Sequence, residues 1–557
     1  MLVGRSDLRS RPEIEIVSET ATEQTSRLAR DSFSVAQWTL FSRVSGFVRA
    51  AMVAAILGPS YLGNTFQATN TIPNLVFEFL TGSLLGTLLV PALVRHVDAH
   101  DARATKRVAD NFLGLVLGGF GVMTIAGIAS GPLIVKLLSL PVGSATVAHS
   151  QQHAGLILIT LLMPQVLLYA IAGVGGAVMN AHGRFALAAA APAFENAGVT
   201  ATMLATAVIF GTGSSVGSVS TAELVLLGAG STAAVAVHAA AQWWGAHRVG
   251  VTLVPRLGWR DAEVRALTRR IVPSLGYAGL NAFRQLAVMV IANAVPGGVV
   301  AFYLAQNFFY LPVQVGARPI ALALLPRLAR LFQAQRLQQF RAELTRGTAG
   351  ICFLAIPAAI VYLVLARPLA EAVSFGQFAG PDGAPVLALA LAGLAPGVLG
   401  EAGFVFATYV SYAQNDGHSP LVAMVWRTVI SVAGMVAAPL LLSGRVVVLA
   451  LAAAISVGDL VSAGQLGRRV QRRIPAAHGR LVPALARAFG ASVLMVVPAY
   501  LIAIGLSALI PGSLRHIIGM LAGSIIGLTI YVAVQRAWRS PELDFLIKGL
   551  PRASRRR

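Results

Sequence analysis

Arg43 and Arg49 interrupt the apolar run FSVAQWTLFSRVSGFVRAAMVAAILG near the start of the chain. An ionised side chain at bilayer depth costs on the order of several kcal/mol unless it faces protein or water, so a charge inside such a run needs a reason. Six residues correspond to about 600° of helical rotation, which sets the two side chains about 120° apart, able to border one cavity without sharing a stripe. The alternative is that their heads snorkel to a headgroup layer. Arg284 in AGLNAFRQLAVMV and Arg318 in PVQVGARPIALALL form the comparable pair in the second half of the chain. Acidic residues in apolar runs are few: Glu78, Glu195, Glu401 and Asp459. Glu78 stands one run away from the two arginines and is the cavity candidate, whereas the other three are expected to be buried ion-pair partners. No Asp or Glu occurs between Arg270 and Glu343, so that stretch offers no carboxylate to a proton or a cation.

Other chemistry is excluded by what these residues are not. The chain has no phosphate-binding Gly-Lys-Ser/Thr loop, no HExxH and no nucleophile elbow, so neither enzymatic activity nor ATP-driven transport within the chain is expected. No cofactor or metal is expected either. A single cysteine, Cys352, excludes an intrachain disulfide or a Cys-based metal cluster, and it reads as packing.

The elements that carry these charges are membrane spans. Hydrophobic residues make up 56% of the 557 and charged residues 12%, against roughly 25% charged in soluble domains, and the mean hydropathy is +0.73. The net charge of +21 punctuates apolar runs instead of clustering on a solvated face, which excludes a nucleic-acid binder. Basic polar segments at 97–107, 247–270, 326–346, 467–480 and 551–557 alternate with loops such as LGPSYLGN, GTGSSVGSVSTAE and FGQFAGPDGAP that lack Lys and Arg. Between successive loops lie runs of about 20 residues, long enough to cross a bilayer. Basic loops stay in the cytoplasm. The pattern predicts an all-α polytopic protein of about fourteen transmembrane helices, with both termini cytoplasmic and membrane lipids as partners.

The long basic loop after the sixth span divides the first twelve into two sixes, the plan of transporters built from paired bundles. The expected organisation is a disordered cytoplasmic tail over 1–32, a first lobe over 33–246, a basic linker over 247–267, a second lobe over 268–466, a basic loop over 467–481, two further helices over 482–537 and a basic tail over 538–557. The turns MNAHGRFALAAAAP and YAQNDGHSPLVA occupy equivalent places in the two sixes, each a polar, Gly-containing turn before a small-residue helix.

At this point the chain resembles a family. FSRVSGFVRAAMVAAILG, NTFQATNTIPNLVFEFLTGSLLGTLLVPALV, LLMPQVLLYAIAGVGGAVMNAHGRFALAAAAPAFEN, VVAFYLAQNFFYLPVQVGARPIALALLPRLAR, IPAAIVYLVLARPLAEAVSFGQF and YAQNDGHSPL are similar, in order across 33–470, to the MurJ/MviN-type lipid II flippases of the multidrug/oligosaccharidyl-lipid/polysaccharide exporter superfamily. The resemblance implies two six-helix lobes around a cationic central cavity, plus two C-terminal helices lining a groove for a lipid tail. It also implies that arginine forks bind the substrate pyrophosphate, for which planar, permanently charged guanidinium groups are suited. The arginines of the first helix fall on Arg43 and Arg49. The acid that follows the second is replaced by Ala50, the acid opening the second helix by Asn64, the arginine pair after IPNL by Phe77 and Glu78, and the basic residue of the eighth helix by Asn307, preceded by Gln306. The expected substrate-binding set is therefore Arg43, Arg49, Asn64, Glu78, Arg284, Asn307 and Arg318.

The implied function is alternating-access movement of a polyprenyl-pyrophosphate-linked peptidoglycan precursor, lipid II or a related lipid-linked oligosaccharide. It would be driven by membrane potential or an ion gradient. Two alternatives stay open: a non-transporting membrane scaffold that recruits cell-envelope synthesis proteins, and a multidrug exporter in which Glu78 serves a cationic drug.

Overall fold

A computed structural model describes residues 37–79, 89–259, 261–474, 481–512 and 514–544. The expected tail over 1–32, part of the loop over 467–481 and most of the tail over 538–557 lie outside the described residues. The described secondary structure is helical, and the helices are α1 (Gln37–Leu57), α2 (Tyr61–Phe79), α3 (Val90–Asp98), α4 (Ala102–Ala129), α5 (Gly131–Ser139), α6 (Ala145–Leu162), α7 (Gln165–Ala181), α8 (Phe185–Phe210), α9 (Thr221–Arg248), α10 (Ala262–Ala292), α11 (Gly298–Pro312), α12 (Arg318–Gln333), α13 (Leu337–Val364), α14 (Ala366–Val373), α15 (Gly383–Ala413), α16 (His418–Leu441), α17 (Val446–Arg473), α18 (Leu481–Leu509) and α19 (Arg515–Ala537). Among the described residues, 12 stretches are long and apolar enough to span a membrane. The other two expected spans fall on α2 with α3, which flank the undescribed stretch 80–88, and on α10.

Helix starts follow local capping chemistry. Asp101 accepts from the Ala104 amide at 2.8 Å, Ser220 from the Glu223 amide at 3.2 Å and Asp261 from the Glu263 amide at 2.9 Å, each satisfying an orphan donor of a first turn. Small residues set the closeness of packing. A Cβ added at Gly400 of α15 would lie 2.5 Å from the Leu460 backbone nitrogen of α17, so only glycine admits that approach.

The helices before residue 250 pack mainly on one another, with α9 against α6, α7 and α8, and α7 against α4. Those from α10 to α17 form a second bundle in which α15 lies against α11, α12, α13 and α17. The α18–α19 pair packs on the second bundle through α13 and α14. The chain enters α11 at Gly298 and continues through a π-helical turn, Val313–Ala317, into α12. A π-turn widens the helix locally and is frequent at functional positions; here it ends directly at Arg318.

Candidate functional site between the bundles

The two bundles are tied together at the end that carries the loops without basic residues. Asn64, at the start of α2, donates to Asn293 Oδ1 at 3.0 Å and to the Val295 carbonyl at 2.8 Å, and accepts from the Val299 amide at 3.0 Å. Gln151 of α6 donates to Asn293 Oδ1 at 3.1 Å, and Asn293 donates to the Leu138 carbonyl at 2.8 Å. A chain of carboxamides thus joins α2, α5 and α6 to the α10–α11 turn. Around it, Gly297 holds φ +70° with Pro59 so near that a Cβ would meet the Pro59 Cα at 2.4 Å. Gly376, at φ +54°, is equally pressed against the Ala55 carbonyl. Both positions need glycine for conformation as well as for space.

Midway along the helices stands a second tie. Arg49 of α1 donates through Nη2 to the Tyr303 hydroxyl of α11 at 2.7 Å and through Nη1 to Glu195 Oε1 of α8 at 3.3 Å. Glu195 is buried, with Oε2 at 2.9 Å from His238 Nδ1 and Oε1 at 3.0 Å from the Tyr169 hydroxyl. Phe77 stacks on Tyr169 with centroids 4.4 Å apart and meets His238 edge-on. Nearby, Phe47 of α1 meets Phe308 of α11 edge to face at 5.3 Å. Beyond this point, toward the basic end, Arg43, Glu78 and Arg318 are exposed. Arg43 lies within electrostatic reach of Glu78, Arg318 and Tyr303. The linker and the first turn of α10 run along α3 and α4 at this end, where Glu263 pairs with Arg95 at 3.1 Å and with His96 at 3.0 Å.

The second bundle holds its own charges in its interior. Arg427 of α16 donates through Nε to Asp459 Oδ1 of α17 at 2.6 Å, pairs with Glu401 of α15 and lies over the Phe404 ring at 4.8 Å. Arg284 of α10 reaches the same Asp459 oxygen at 3.2 Å.

The family model for the lipid II flippase MurJ matches residues 53–518. The chain belongs to the MurJ lipid II flippase family. It is similar to the probable lipid II flippase MurJ of Rhizobium meliloti (strain 1021), 26% identical over 400 residues that cover 69% of this chain and 70% of that one. It is also similar to the lipid II flippase MurJ of Burkholderia cenocepacia, 23% identical over 406 residues, covering 71% and 75%. A solved lipid II flippase MurJ in an inward closed conformation aligns with TM-score 0.70 at 14% identity, covering 90% of this chain and 99% of that one. An inward-facing multidrug resistance MATE transporter aligns with TM-score 0.60 at 15% identity, covering 78% and 94%, and at these identities the likeness speaks for the fold. The chain is therefore a multi-pass membrane transporter of the MurJ family and not an enzyme.

Within this MurJ-family fold, the residues singled out in the sequence separate into three settings. Arg43, Glu78 and Arg318 come together on the exposed faces toward the basic end. Arg49 lies beside them but is held by Glu195 and Tyr303. Arg284 and Asn64 are interior, at 5% and 0% exposure, one in an ion cluster and the other in the carboxamide chain. Asn307 is partly buried and donates to the Tyr303 carbonyl one turn back in its own helix. Glu195, Glu401 and Asp459 are ion-paired, as their apolar surroundings require. Arg427, His238, Tyr169 and Tyr303 were not singled out. The first two stand in apolar runs, MVWRTVISV and AVAVHAAA, and obey the same rule that marked Arg49. The two tyrosines carried no such signal.

Proposed function

We propose that this chain moves a polyprenyl-pyrophosphate-linked peptidoglycan precursor, lipid II or a close relative, from the cytoplasmic to the outer leaflet by alternating access. The lobes are 33–246 and 268–466, the basic end faces the cytoplasm, and the precursor enters between the lobes from that side. The observation that carries this reading is the approach of Arg43 on α1 to Arg318 on α12. The two like charges repel, with Glu78 offsetting part of this at Arg43, and a diphosphate lodged between them supplies two charge-assisted contacts. Arg318 follows directly on the π-turn, where a change of helical winding moves its head relative to Arg43. Closure of the carboxamide chain at the opposite end suits the loading state, because alternating access needs one end shut while the other admits substrate. The substrate's two negative charges and apolar tail also separate this reading from a cationic-drug exporter.

The test is replacement of a known lipid II flippase by this chain, with precursor arrival at the outer leaflet as the readout. Rescue that is lost in Arg43→Ala and in Arg318→Ala supports the assignment. Failure of rescue by well-expressed, correctly inserted protein overturns it in favour of a scaffold.

A further inference from the structure

Arg49 has the fork geometry to take a phosphate, yet its guanidinium is already committed on both sides. One nitrogen is on Glu195 at 3.3 Å and another on the Tyr303 hydroxyl at 2.7 Å. Its carboxylate partner is in turn shared with His238 at 2.9 Å, a side chain only 1% exposed. Imidazole is the side chain whose charge ordinarily changes in the physiological pH range. We propose that Glu195 and His238 form a proton-binding site that controls Arg49, so that uptake of one proton by the pair releases the guanidinium to a diphosphate. This inference rests on the flippase reading and adds the coupling ion to it.

The charge accounting is simple. With Glu195 ionised and His238 neutral, the pair carries −1 and Arg49 answers it with +1. With no second carboxylate in the cluster, the Nδ1 of a neutral His238 must carry the hydrogen that the carboxylate accepts. One added proton, whether it rests on the second imidazole nitrogen or on the carboxyl, brings the pair to zero. The charge that Glu195 held on Arg49 is then unanswered, and an anion supplies the answer. The groups facing the pair are Arg49 from α1, the Tyr169 hydroxyl from α7 and the Tyr303 hydroxyl reached through Arg49 from α11, while α2 contributes Asn74 to the Tyr169 hydroxyl and the Phe77 ring against His238. Among these, Arg49 is the one permanent charge and Glu195 the one carboxylate; Glu78, beside Arg43, is the other acid near the anion, and Glu78→Gln is the control that removes it. Because Arg49 also bridges α1 to Tyr303 of α11, its capture by the anion, once Glu195 has let go, draws on the midway tie between the bundles. Proton uptake, anion capture and bundle separation thereby meet at one guanidinium.

The experiment uses the full chain in lipid nanodiscs and a diphosphate diester carrying a short prenyl chain and a sugar, whose phosphates do not titrate near neutrality. Binding is measured calorimetrically from about pH 8 to about pH 5.5 in buffers of different ionisation enthalpy, which report protons taken up. The expected result is uptake of about one proton per diester and affinity that rises up to roughly tenfold per pH unit as pH falls. Glu195→Gln should bind tightly with no pH dependence and no uptake, and His238→Asn should reduce the uptake in the same assay. Proton uptake that persists in Glu78→Gln stands as the test even where a Glu195 or His238 variant fails to fold, and uptake abolished by Glu78→Gln overturns the assignment to Glu195 and His238. Binding without uptake overturns the proton site and leaves the flippase reading intact. No binding at any pH overturns both.

Discussion

Arg427→Leu is expected to be among the most damaging single substitutions in the second bundle, and the reason can be worked from the cluster's charges. Arg284 and Arg427 contribute two positive charges and Glu401 and Asp459 two negative ones, so the group sums to zero within the helix interior. Arg427 and Asp459 are 3% and 0% exposed in their side chains, which removes water as an alternative partner. Leucine fills much of the space but leaves Glu401 unpaired and gives Asp459 only Arg284 at 3.2 Å. Breaking a buried pair by removing one member costs about 3–5 kcal/mol, because the remaining charge stays buried without compensation. That is a large share of the roughly 5–15 kcal/mol that holds a typical domain. The double variant Arg427→Leu, Glu401→Gln restores neutrality, so it should recover more than half of the loss. That recovery is the mark of charge balance as opposed to lost packing. Folded yield in mild detergent by size exclusion and thermal unfolding of the purified protein report the stability. Arg427→Leu within about 1 kcal/mol of wild type, or a double variant no better than the single, would refute the reasoning.

Further outcomes follow from other parts of the molecule. Single cysteines within 97–107 or 467–474, in a Cys352→Ala background, should be shielded from an impermeant thiol reagent in intact cells, and those within 376–383 should react; the reverse pattern inverts the transport direction. Asn64→Ala strips Val299 of its acceptor and Asn293 of a donor; at about 1–3 kcal/mol per buried group left unsatisfied, it should raise labelling of a cysteine placed at the buried Val300, and unchanged labelling would separate the carboxamide chain from gating. Beyond the last span, burial pushes the Glu542 carboxyl up, but hydrogen bonds from Ser540, its own backbone and Arg487 outweigh it and hold the group below the ordinary carboxylate range. A depressed folded value gives stability that is present above the unfolded value near 4.3 and is lost as pH falls through the folded one, so the 538–544 segment should become protease-sensitive in acid, and Arg487→Met should bring that sensitivity to higher pH.

Much of the architecture was legible because two one-dimensional signals agree: apolar runs of bilayer length and the alternation of basic loops with loops that lack Lys and Arg. Of the charges in apolar runs, Arg49, Glu195, Arg284, Glu401 and Asp459 have interior partners, as hydrocarbon requires, whereas Arg43, Glu78 and Arg318 are exposed. What could not be read was which partner. Arg49 and Tyr303 are 254 residues apart in sequence, and no local pattern foretells that α1 and α11 meet midway. Asn64 is the clearest case. Read from the resemblance it is a missing acid, yet in the structure its carboxamide donates to two oxygens and accepts from one amide. An ionised carboxylate can only accept, so it could not make the first two bonds.

The two bundles use buried charge to different ends, and the difference bears on where coupling resides. Counted in chain order within the two expected lobes, α1 takes the place of α10, α7 that of α15, α8 that of α16 and α9 that of α17. Arg49, Tyr169, Glu195 and His238 on the first set answer to Arg284, Glu401, Arg427 and Asp459 on the second. The second cluster is balanced by permanent guanidinium charges, and Arg427 is committed to two carboxylates and an aromatic face. Protonating a carboxylate there would strand an arginine in the interior, so that bundle resists any change of charge. In the first cluster an imidazole stands where the second has a carboxylate, and its arginine reaches out to the other bundle through Tyr303. A cluster that can change charge by one and touches the moving interface can couple a proton to motion, whereas a sealed and balanced one can only hold its helices together. On the proton-site proposal, the responsive role falls to the first bundle and the rigid one to the second. Unlike the Arg427 variants, conservative changes in the first cluster should alter transport more than they alter folding.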